Sequence, residues 1–282
     1  MPEGHPRQIA LAPHGRAWWT GPRPADPLCM TRVHPWVEVI PTPFDGVYHL
    51  DHRIARARYG GAMASVLSTN VGRPMQQAVP KGRPTGIGKQ PVEQITVADP
   101  GPKREGPAGE GVSGVAGDFI GEGRHHGGSD QAVYAVARAE LDHWADELGR
   151  AMPDGFFGEN LTITGLDVDA AEIGDVWRVG SAVLQVSAPR IPCATFAARM
   201  QEKGWVRRFA ERGRVGAYLR VLQPGTIQPG DPVLVEPAGS GVDVPTSLRA
   251  FMGDTEAAQT ALDAGVFAGS DRDDLEQVLA RG

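Results

Sequence analysis

The sequence predicts a mainly β fold with a few short helices. The 37 glycines and 24 prolines among 282 residues favour a turn-rich architecture over a helical bundle. Two turn signals, Ile-Gly-Asp at 173–175 and Pro-Gly-Asp at 229–231, each lead into a short apolar segment typical of a strand. Between them, Gly180 and Ser181 separate two further apolar segments, which predicts a β-hairpin with a two-residue turn.

The earlier elements begin near Met63, where residues 63–72 have the pattern of a first strand. Residues 79–117 hold many glycines and prolines, so we expect short strands joined by loops. An apolar run at 132–136 predicts a strand. Residues 138–148 predict a helix, because apolar side chains recur on one face and a glycine follows.

The later elements include a short helix after Pro192, ended by Gly204, which places Cys193 at a helix N-terminus. Beyond Pro237, a segment containing Pro245 is typical of a linker. The other expected elements are strands at 176–179, 182–186 and 232–235 and small helices at 255–264 and 271–281.

Three regions follow from these patterns. Residues 1–62 hold five of the eight histidines and three of the six tryptophans without sustained periodicity. They indicate a misassigned start or upstream extension before a natural beginning at Met63, or else a disordered arm. We expect residues 63–240 to form the main domain, and residues 241–282 a helical appendage too small for a core of its own.

Charge and cysteine content exclude several classes of protein. A net charge of -6 argues against the broad basic surface that nucleic-acid polymers require. Two cysteines, Cys29 and Cys193, cannot build a disulfide framework, a cysteine-ligated zinc site or an iron–sulfur site. The sequence shows neither a signal-peptide pattern nor an apolar stretch long enough to span a membrane. We therefore expect a cytoplasmic protein with no membrane partner.

Cys193 is the first candidate for chemistry. The ordinary interpretation is a buried thiol that acts as a small hydrophobe. However, a helix N-terminus stabilises negative charge, and Arg190 and Arg199 add positive potential, so the thiolate is favoured. A thiolate there can bind a soft metal or act as a nucleophile.

The second candidate is the sequence His-His-Gly-Gly at 125–128. Gly127 and Gly128 allow backbone amides to approach an anion closely, and the histidines offer hydrogen bonds or charge. Because adjacent side chains point to opposite sides of an extended segment, at most one histidine is expected to line a site. A histidine that simply satisfies a turn is the alternative.

The third candidate is the pair Glu159 and Asn160, which stands between a glycine turn and an apolar strand. In one interpretation these side chains only complete a loop. In the other, their carboxylate and amide groups match the donors and acceptors of an amino-pyrimidinone ring in a cofactor.

Together these segments resemble the MOSC domain family, named for its presence at the C-terminus of molybdenum cofactor sulfurases, and within it the standalone YiiM-like proteins. The match is collinear and covers about half of the chain. Thr195 departs from it, since YiiM-like sequences often have a basic residue there. The matching motifs include Gly-Asp at 117–118, His-Gly-Gly at 126–128, Phe-Gly-Glu-Asn-Leu at 157–161, Pro-Arg at 189–190, Pro-Cys at 192–193 and Gly-Ala-Tyr-Leu-Arg-Val at 216–221.

The resemblance implies a MOSC-type β-barrel and a molybdenum cofactor, with Mo-molybdopterin bound through Cys193 as the protein ligand of the metal. Arg190, Arg199 and the glycine pair at 127–128 would hold the anionic tail of the cofactor. Glu159 and Asn160 would contact the pterin.

The resemblance also implies a reaction, because relatives with known chemistry remove oxygen from N-hydroxylated compounds. Reduction of N-hydroxylated substrates such as purine bases is therefore expected, with His126 or Asp130 supplying protons. The sequence shows no flavin or nicotinamide fingerprint, so a separate flavoprotein reductase would donate the electrons. The alternatives are a sulfur carrier or cofactor-binding module with a persulfide on Cys193, and a fold kept only as a binding scaffold.

Overall fold

The computed structural model of the protein describes residues 63–76 and 82–282. The expected extension or misassigned start at residues 1–62, and with it Cys29, lies outside the described residues. Within them, a large sheet and six α-helices form a mixed α and β fold. The expected large β component is thus confirmed, but the fold class is mixed α and β rather than mainly β.

The described strands form one sheet of eight strands and one of two. The order in the large sheet is β10-β6-β7-β8-β4-β5-β1-β2, and β3 pairs with β9. Neighbouring strands are antiparallel except for β4 and β5, which are parallel. The strands are β1 Ser65–Val71, β2 Gln90–Val92, β3 Ile95–Val97, β4 Val133–Ala137, β5 Leu161–Thr164, β6 Val176–Val179, β7 Ala182–Pro189, β8 Ala217–Gln223, β9 Gly225–Ile227 and β10 Val233–Glu236.

The helices are short and occur mainly in the second half of the chain. They are α1 Arg138–Leu148, α2 Ala194–Met200, α3 Trp205–Arg212, α4 Val244–Phe251, α5 Thr255–Asp263 and α6 Gly269–Arg281, with 3₁₀ turns at Ser129–Gln131 and Val168–Ala170. None of the helices in the described ranges is long and apolar enough to cross a membrane.

The local predictions for the hairpin and for α1 are confirmed. Strands β6 and β7 pair antiparallel around a turn at Gly180 and Ser181. Helix α1 has the predicted bounds, buries Leu141 and Trp144, and ends at Gly149, whose amide returns to the last turn. These elements follow directly from local patterning.

Two helical predictions are corrected. Helix α2 ends at Met200 rather than at Gly204, and Gly204 precedes α3, which sequence analysis missed. The expected linker beyond Pro237 contains α4. There, the Asp243 carboxylate accepts a hydrogen bond from the backbone amide of Thr246 at 2.8 Å, and a proline occupies the first turn, where its missing N–H costs little.

The segment that leads into β10, at one end of the large sheet, approaches β1, the strand next to the other end. The amide of Val66 donates to the Asp231 carbonyl at 2.9 Å, and the amide of Gly230 donates to the Val66 carbonyl at 2.8 Å. Among the described strands, however, no strand pairing joins β1 to β10. The mixed sheet is established, whereas its closure into a β-barrel stays a prediction.

An aromatic cluster supports the helix that begins after Cys193. The rings of Phe157, Phe196 and Phe209 lie within 5.6 Å of one another, centroid to centroid, and Trp205 packs against Trp144 at 4.5 Å. Edge-to-face contacts of this kind add to the stabilisation from burial itself. The cluster joins α1, α2 and α3 to the loop before β5 and thus holds α2 firmly against the sheet.

The C-terminal helices pack on one another and on the domain. Helix α4 contacts β7 and buries Val244 and Leu248, and Phe251 packs against Phe267 at 5.1 Å between ring centroids. The apolar side chains of this segment therefore belong to the same core as the sheet.

Candidate functional site

A cavity of about 190 Å³ gathers polar residues from distant parts of the sequence. Its walls come from the loops at 83–89 and 113–127, from β4 and β8, and from the start of α2. The chemically most significant lining residues are Lys89, Asp118, His126, Asn160, Arg190 and Cys193.

Cys193 lies at the N-terminus of α2, as predicted. Pro192 precedes it, and the backbone at Cys193 is extended, so the helix begins at Ala194. The carbonyl of Cys193 accepts the first helical hydrogen bond, from the amide of Ala197 at 3.0 Å. The thiol is half-buried and faces the cavity.

The electrostatic surroundings of Cys193 favour the thiolate. Burial alone would raise the pKa of the thiol. A hydrogen bond from His126, the positive charge of Arg190 and the backbone amide of Phe196 outweigh this effect and lower the pKa to about 6. The thiolate therefore predominates at neutral pH.

Arg190 is a buried cation beside the thiol. Its Nη1 donates to the Tyr218 hydroxyl at 3.0 Å, and its guanidinium lies 5.5 Å from the Tyr134 ring centroid and 5.2 Å from that of Phe196. Its Nε–H is buried without a hydrogen-bond partner in the described part of the chain. An unused buried donor on a cation is the arrangement expected of a site that receives an anion.

The loop at 125–128 divides its two histidines. His126 lines the cavity and lowers the pKa of the Cys193 thiol, whereas His125 is exposed and does not line the cavity. One of the two adjacent rings thus lines the cavity, and its role in a functional site stays a prediction. Gly127 also lines the cavity, with φ of +86°, and a Cβ there would lie 2.3 Å from the Val112 carbonyl oxygen. Glycine is therefore required at this turn.

The paired amides of this loop are already engaged. The amide of Gly127 donates to the Gln131 side chain at 3.1 Å, and the amide of Gly128 donates to the Val112 carbonyl at 3.0 Å. Gly128 packs against the backbone of Lys103 and does not line the cavity. The expected role of Gly128 in cofactor binding stays a prediction, and in this structure its amide is used within the loop.

Asp130 lies outside the cavity. Its side chain is 54% exposed and forms an ion pair with Arg220 at 2.7 Å, and its carbonyl accepts a hydrogen bond from Ser187. The expected role of Asp130 as a proton donor stays a prediction that this placement does not favour, since its carboxylate does not line the cavity that contains the thiol.

Glu159 is fully buried and faces the protein interior. Its carboxylate accepts hydrogen bonds from the amides of Gly155 at 2.5 Å and Phe157 at 3.0 Å, and from the Thr162 hydroxyl at 3.1 Å. Burial raises the pKa of Glu159 to about 7, although these hydrogen bonds act in the opposite direction. The expected pterin contact stays a prediction, since the hydrogen bonds of the carboxylate go to Gly155, Phe157 and Thr162.

Asn160, by contrast, lines the cavity wall. Its Nδ2 donates to Asp118 at 3.1 Å and to the Asn70 carbonyl at 3.2 Å, and its Oδ1 accepts from the Tyr134 amide at 3.2 Å. The side chain thus links β1, β4 and the loop at 118. A bound molecule that contacts Asn160 would therefore have to share its amide group with these partners.

Arg199 lies in a smaller adjoining cavity of about 110 Å³. Thr85, Ile87 and Thr195 line both cavities, so the two are neighbours. The guanidinium stacks over Phe156 at 4.2 Å. Burial is the main cause that lowers its pKa, followed by the nearby positive charge of Arg150. Arg199 therefore adds a cation beside the main cavity rather than within it.

The cavity wall contains an ion pair that no sequence motif indicated. Lys89 and Asp118 are in contact, with exposed side-chain fractions of 7% and 2%. The Gly-Asp motif at 117–118 was part of the family resemblance and carried a signal for Asp118. Lys89 comes from a loop-rich stretch without a chemical motif, so nothing in the local sequence marked it.

Comparisons with known proteins agree with this arrangement. A sequence profile of the MOSC domain matches residues 122–234. The uncharacterized protein YflK of Bacillus subtilis is 36% identical over 167 residues, which cover 59% of this chain and 70% of YflK. A protein named reductase from Gibberella moniliformis is 33% identical over 168 residues, but this match covers only 29% of that longer protein and 56% of this chain.

A solved structure is also similar. The crystal structure of YiiM from Geobacillus stearothermophilus superimposes with a TM-score of 0.59 at 27% identity and covers 77% of this chain and 99% of that one. The chain therefore belongs to the MOSC domain family, as a YiiM-like member. This membership is consistent with a site that binds a molybdenum cofactor.

Proposed function

We propose that this protein binds a molybdenum cofactor, Mo-molybdopterin, through Cys193 and reduces N-hydroxylated substrates such as N-hydroxylated purine bases. The observation that carries the proposal is the thiol of Cys193 in a cavity, held as a thiolate by His126 and Arg190. A thiolate is the soft ligand that a molybdenum centre accepts. The match to a protein named reductase adds support for redox chemistry.

The cavity residues fit an anionic cofactor. The buried Nε–H of Arg190 has no partner among the described residues, and Arg83 adds positive charge to the cavity wall. Arg199 extends this positive potential into the adjoining cavity. These cations would hold the anionic part of the cofactor, and the turn at Gly127 would allow close approach to the backbone.

The reaction consumes two electrons and two protons. The N–O bond of the N-hydroxyl group breaks, the nitrogen becomes an amine, and the oxygen leaves as water. The bound cofactor would pass the electrons to the substrate. His126, which lines the cavity, would supply one of the two protons to the substrate and would regain it from solvent.

A separate flavoprotein reductase would supply the electrons, because the sequence has no recognisable flavin or nicotinamide fingerprint. Contacts between redox partners are commonly small and transient. Cofactor-loaded protein is therefore expected to need a second protein, or a chemical substitute for it, before it turns over.

The experiment uses protein purified from a host that makes the molybdenum cofactor. Loss of 6-hydroxylaminopurine is measured with NADH alone, with NADH and a flavoprotein reductase, and with a reduced viologen. Turnover is expected in the last two conditions. Activity with NADH alone would contradict the need for a partner. Inactivity with every donor, despite full molybdenum content, would overturn the reductase function, and cyanide-releasable sulfur without metal would favour the sulfur carrier.

A further inference from the structure

We propose that Lys89 is a second proton donor in the cavity and that Asp118 is the residue that positions it. The inference rests on the proposed reduction, which requires two protons for each N–O bond broken. It assigns a chemical role to an ion pair that no motif in the sequence indicated. His126 and Lys89 would then act on the same substrate.

The surroundings of Asp118 show why Lys89 is fixed in place. Besides the ammonium of Lys89, the Asp118 carboxylate accepts hydrogen bonds from the amide of Gly72 at 2.7 Å, the hydroxyl of Ser113 at 2.9 Å and the side chain of Asn160 at 3.1 Å. Together with Lys89, these donors come from four separate segments of the chain. The carboxylate is thus held rigidly, and it determines where the ammonium lies.

Lys89 has hydrogen-bonding capacity left for a ligand. A lysine ammonium carries three N–H donors. In the described part of the chain, the side-chain partner of Lys89 is Asp118 alone, and Lys89 lines the cavity. At least one N–H is therefore available to a molecule bound in the cavity. Burial shields this donor from bulk water and strengthens its interaction with a polar ligand.

Few other side chains in the cavity are candidate proton donors. Asp130 is outside the cavity, and His126 already hydrogen-bonds the Cys193 thiol. In the proposed step, two electrons that come from the flavoprotein reductase would reach the substrate, and the N–O bond would break. Lys89 gives its proton to the departing oxygen, which leaves as water, while the second proton reaches the nitrogen. Solvent then returns a proton to Lys89.

The test compares Lys89→Met, Lys89→Arg and the control Lys103→Met, whose lysine is exposed and does not line the cavity. Each variant is produced in a host that makes the molybdenum cofactor. Bound molybdenum, thermal midpoint and turnover of 6-hydroxylaminopurine with a reduced viologen are measured. Arginine keeps the charge and the hydrogen bonds but does not release a proton in proteins. Lys89→Arg therefore separates proton transfer from charge.

We expect both Lys89 variants to retain their molybdenum, while turnover falls about 100-fold, the usual contribution of a general acid. Lys89→Arg should keep its thermal midpoint, whereas Lys89→Met should lower it, because the buried Asp118 carboxylate loses its cation. Lys103→Met should behave like the wild type. Recovery of turnover in Lys89→Arg would overturn the proposal, because charge alone would then suffice. Loss of molybdenum from the Lys89 variants would also overturn it, in favour of cofactor binding. A wild-type protein that is inactive at full molybdenum content would instead remove the proposed function itself.

Discussion

His126 and Cys193 line the same cavity, and hydrogen bonding from the His126 imidazole lowers the pKa of the Cys193 thiol, so the loop before β4 and the start of α2 act on one group. Arg190 places a positive charge beside the same sulfur atom. Burial on its own would disfavour the thiolate, so the two neighbours decide its protonation state. The thiolate in this cavity can therefore bind a soft, positively charged metal centre or react with an electrophile.

The first prediction concerns this hydrogen bond. In cofactor-free protein, the rate of alkylation of Cys193 by iodoacetamide should rise with a midpoint near pH 6. His126→Ala should move the midpoint upward by roughly one pH unit, because the thiolate loses its donor. The neighbouring exposed residue provides the matched control, His125→Ala, which should leave the midpoint in place. Equal shifts in the two variants would disprove the contact.

The second prediction concerns the buried carboxyl group of Glu159. Its folded pKa of about 7 lies above its ordinary value, so the stability it contributes is full at low pH and is lost as the pH rises through 7. This loss should be on the order of 3 kcal/mol. The free energy of unfolding of the wild type should therefore fall more between pH 5 and pH 8 than that of Glu159→Gln. Glu147→Gln, at an exposed site, should retain the wild-type slope.

The third prediction concerns the close approach at Gly127. Gly127→Ala should destabilise the fold more than Gly213→Ala. Both glycines have positive φ, but only at Gly127 would a Cβ meet backbone, 2.3 Å from the Val112 oxygen. Gly213→Ala should cost roughly 1 to 2 kcal/mol from backbone strain alone. Urea denaturation of the two variants measures the difference, and equal midpoints would show that the loop relaxes freely.

The fourth prediction concerns Asp130, which pairs with Arg220 on the outside of the cavity. Asp130→Asn should change turnover by no more than about twofold and stability by about 1 kcal/mol or less, as expected for an exposed ion pair. Steady-state kinetics and thermal unfolding provide both numbers. A loss of turnover greater than tenfold at unchanged molybdenum content would restore Asp130 as a proton donor.

Local patterning was sufficient for elements whose signals are contained in a few residues. Helix α1 and the hairpin of β6 and β7 match their predicted positions because amphipathic spacing and turn chemistry act over short distances. Helix α4 was missed because Pro245 looked like part of a linker, although proline is favourable in a first helical turn.

The site was predictable only where a motif carried the chemistry. Cys193 at a helix N-terminus and His126 beside glycines could be identified from sequence. The direction of a side chain could not be predicted from sequence. Glu159 and Asp130 are adjacent in sequence to residues that line the cavity, but their carboxylates bind the Gly155 amide and Arg220 instead. Lys89 reaches the cavity through tertiary packing, which local sequence does not encode.

The most direct test of the account is the molybdenum content of Cys193→Ser. Wild-type protein from a host that makes the cofactor should contain close to one molybdenum per chain, measured by mass spectrometry of the metal. The serine variant should keep its fold and lose the metal, because a hydroxyl is a poor ligand for a soft centre. Cys29→Ser should bind as the wild type does. Full molybdenum content in Cys193→Ser, or equal losses in both variants, would contradict the assignment of Cys193 as the metal ligand.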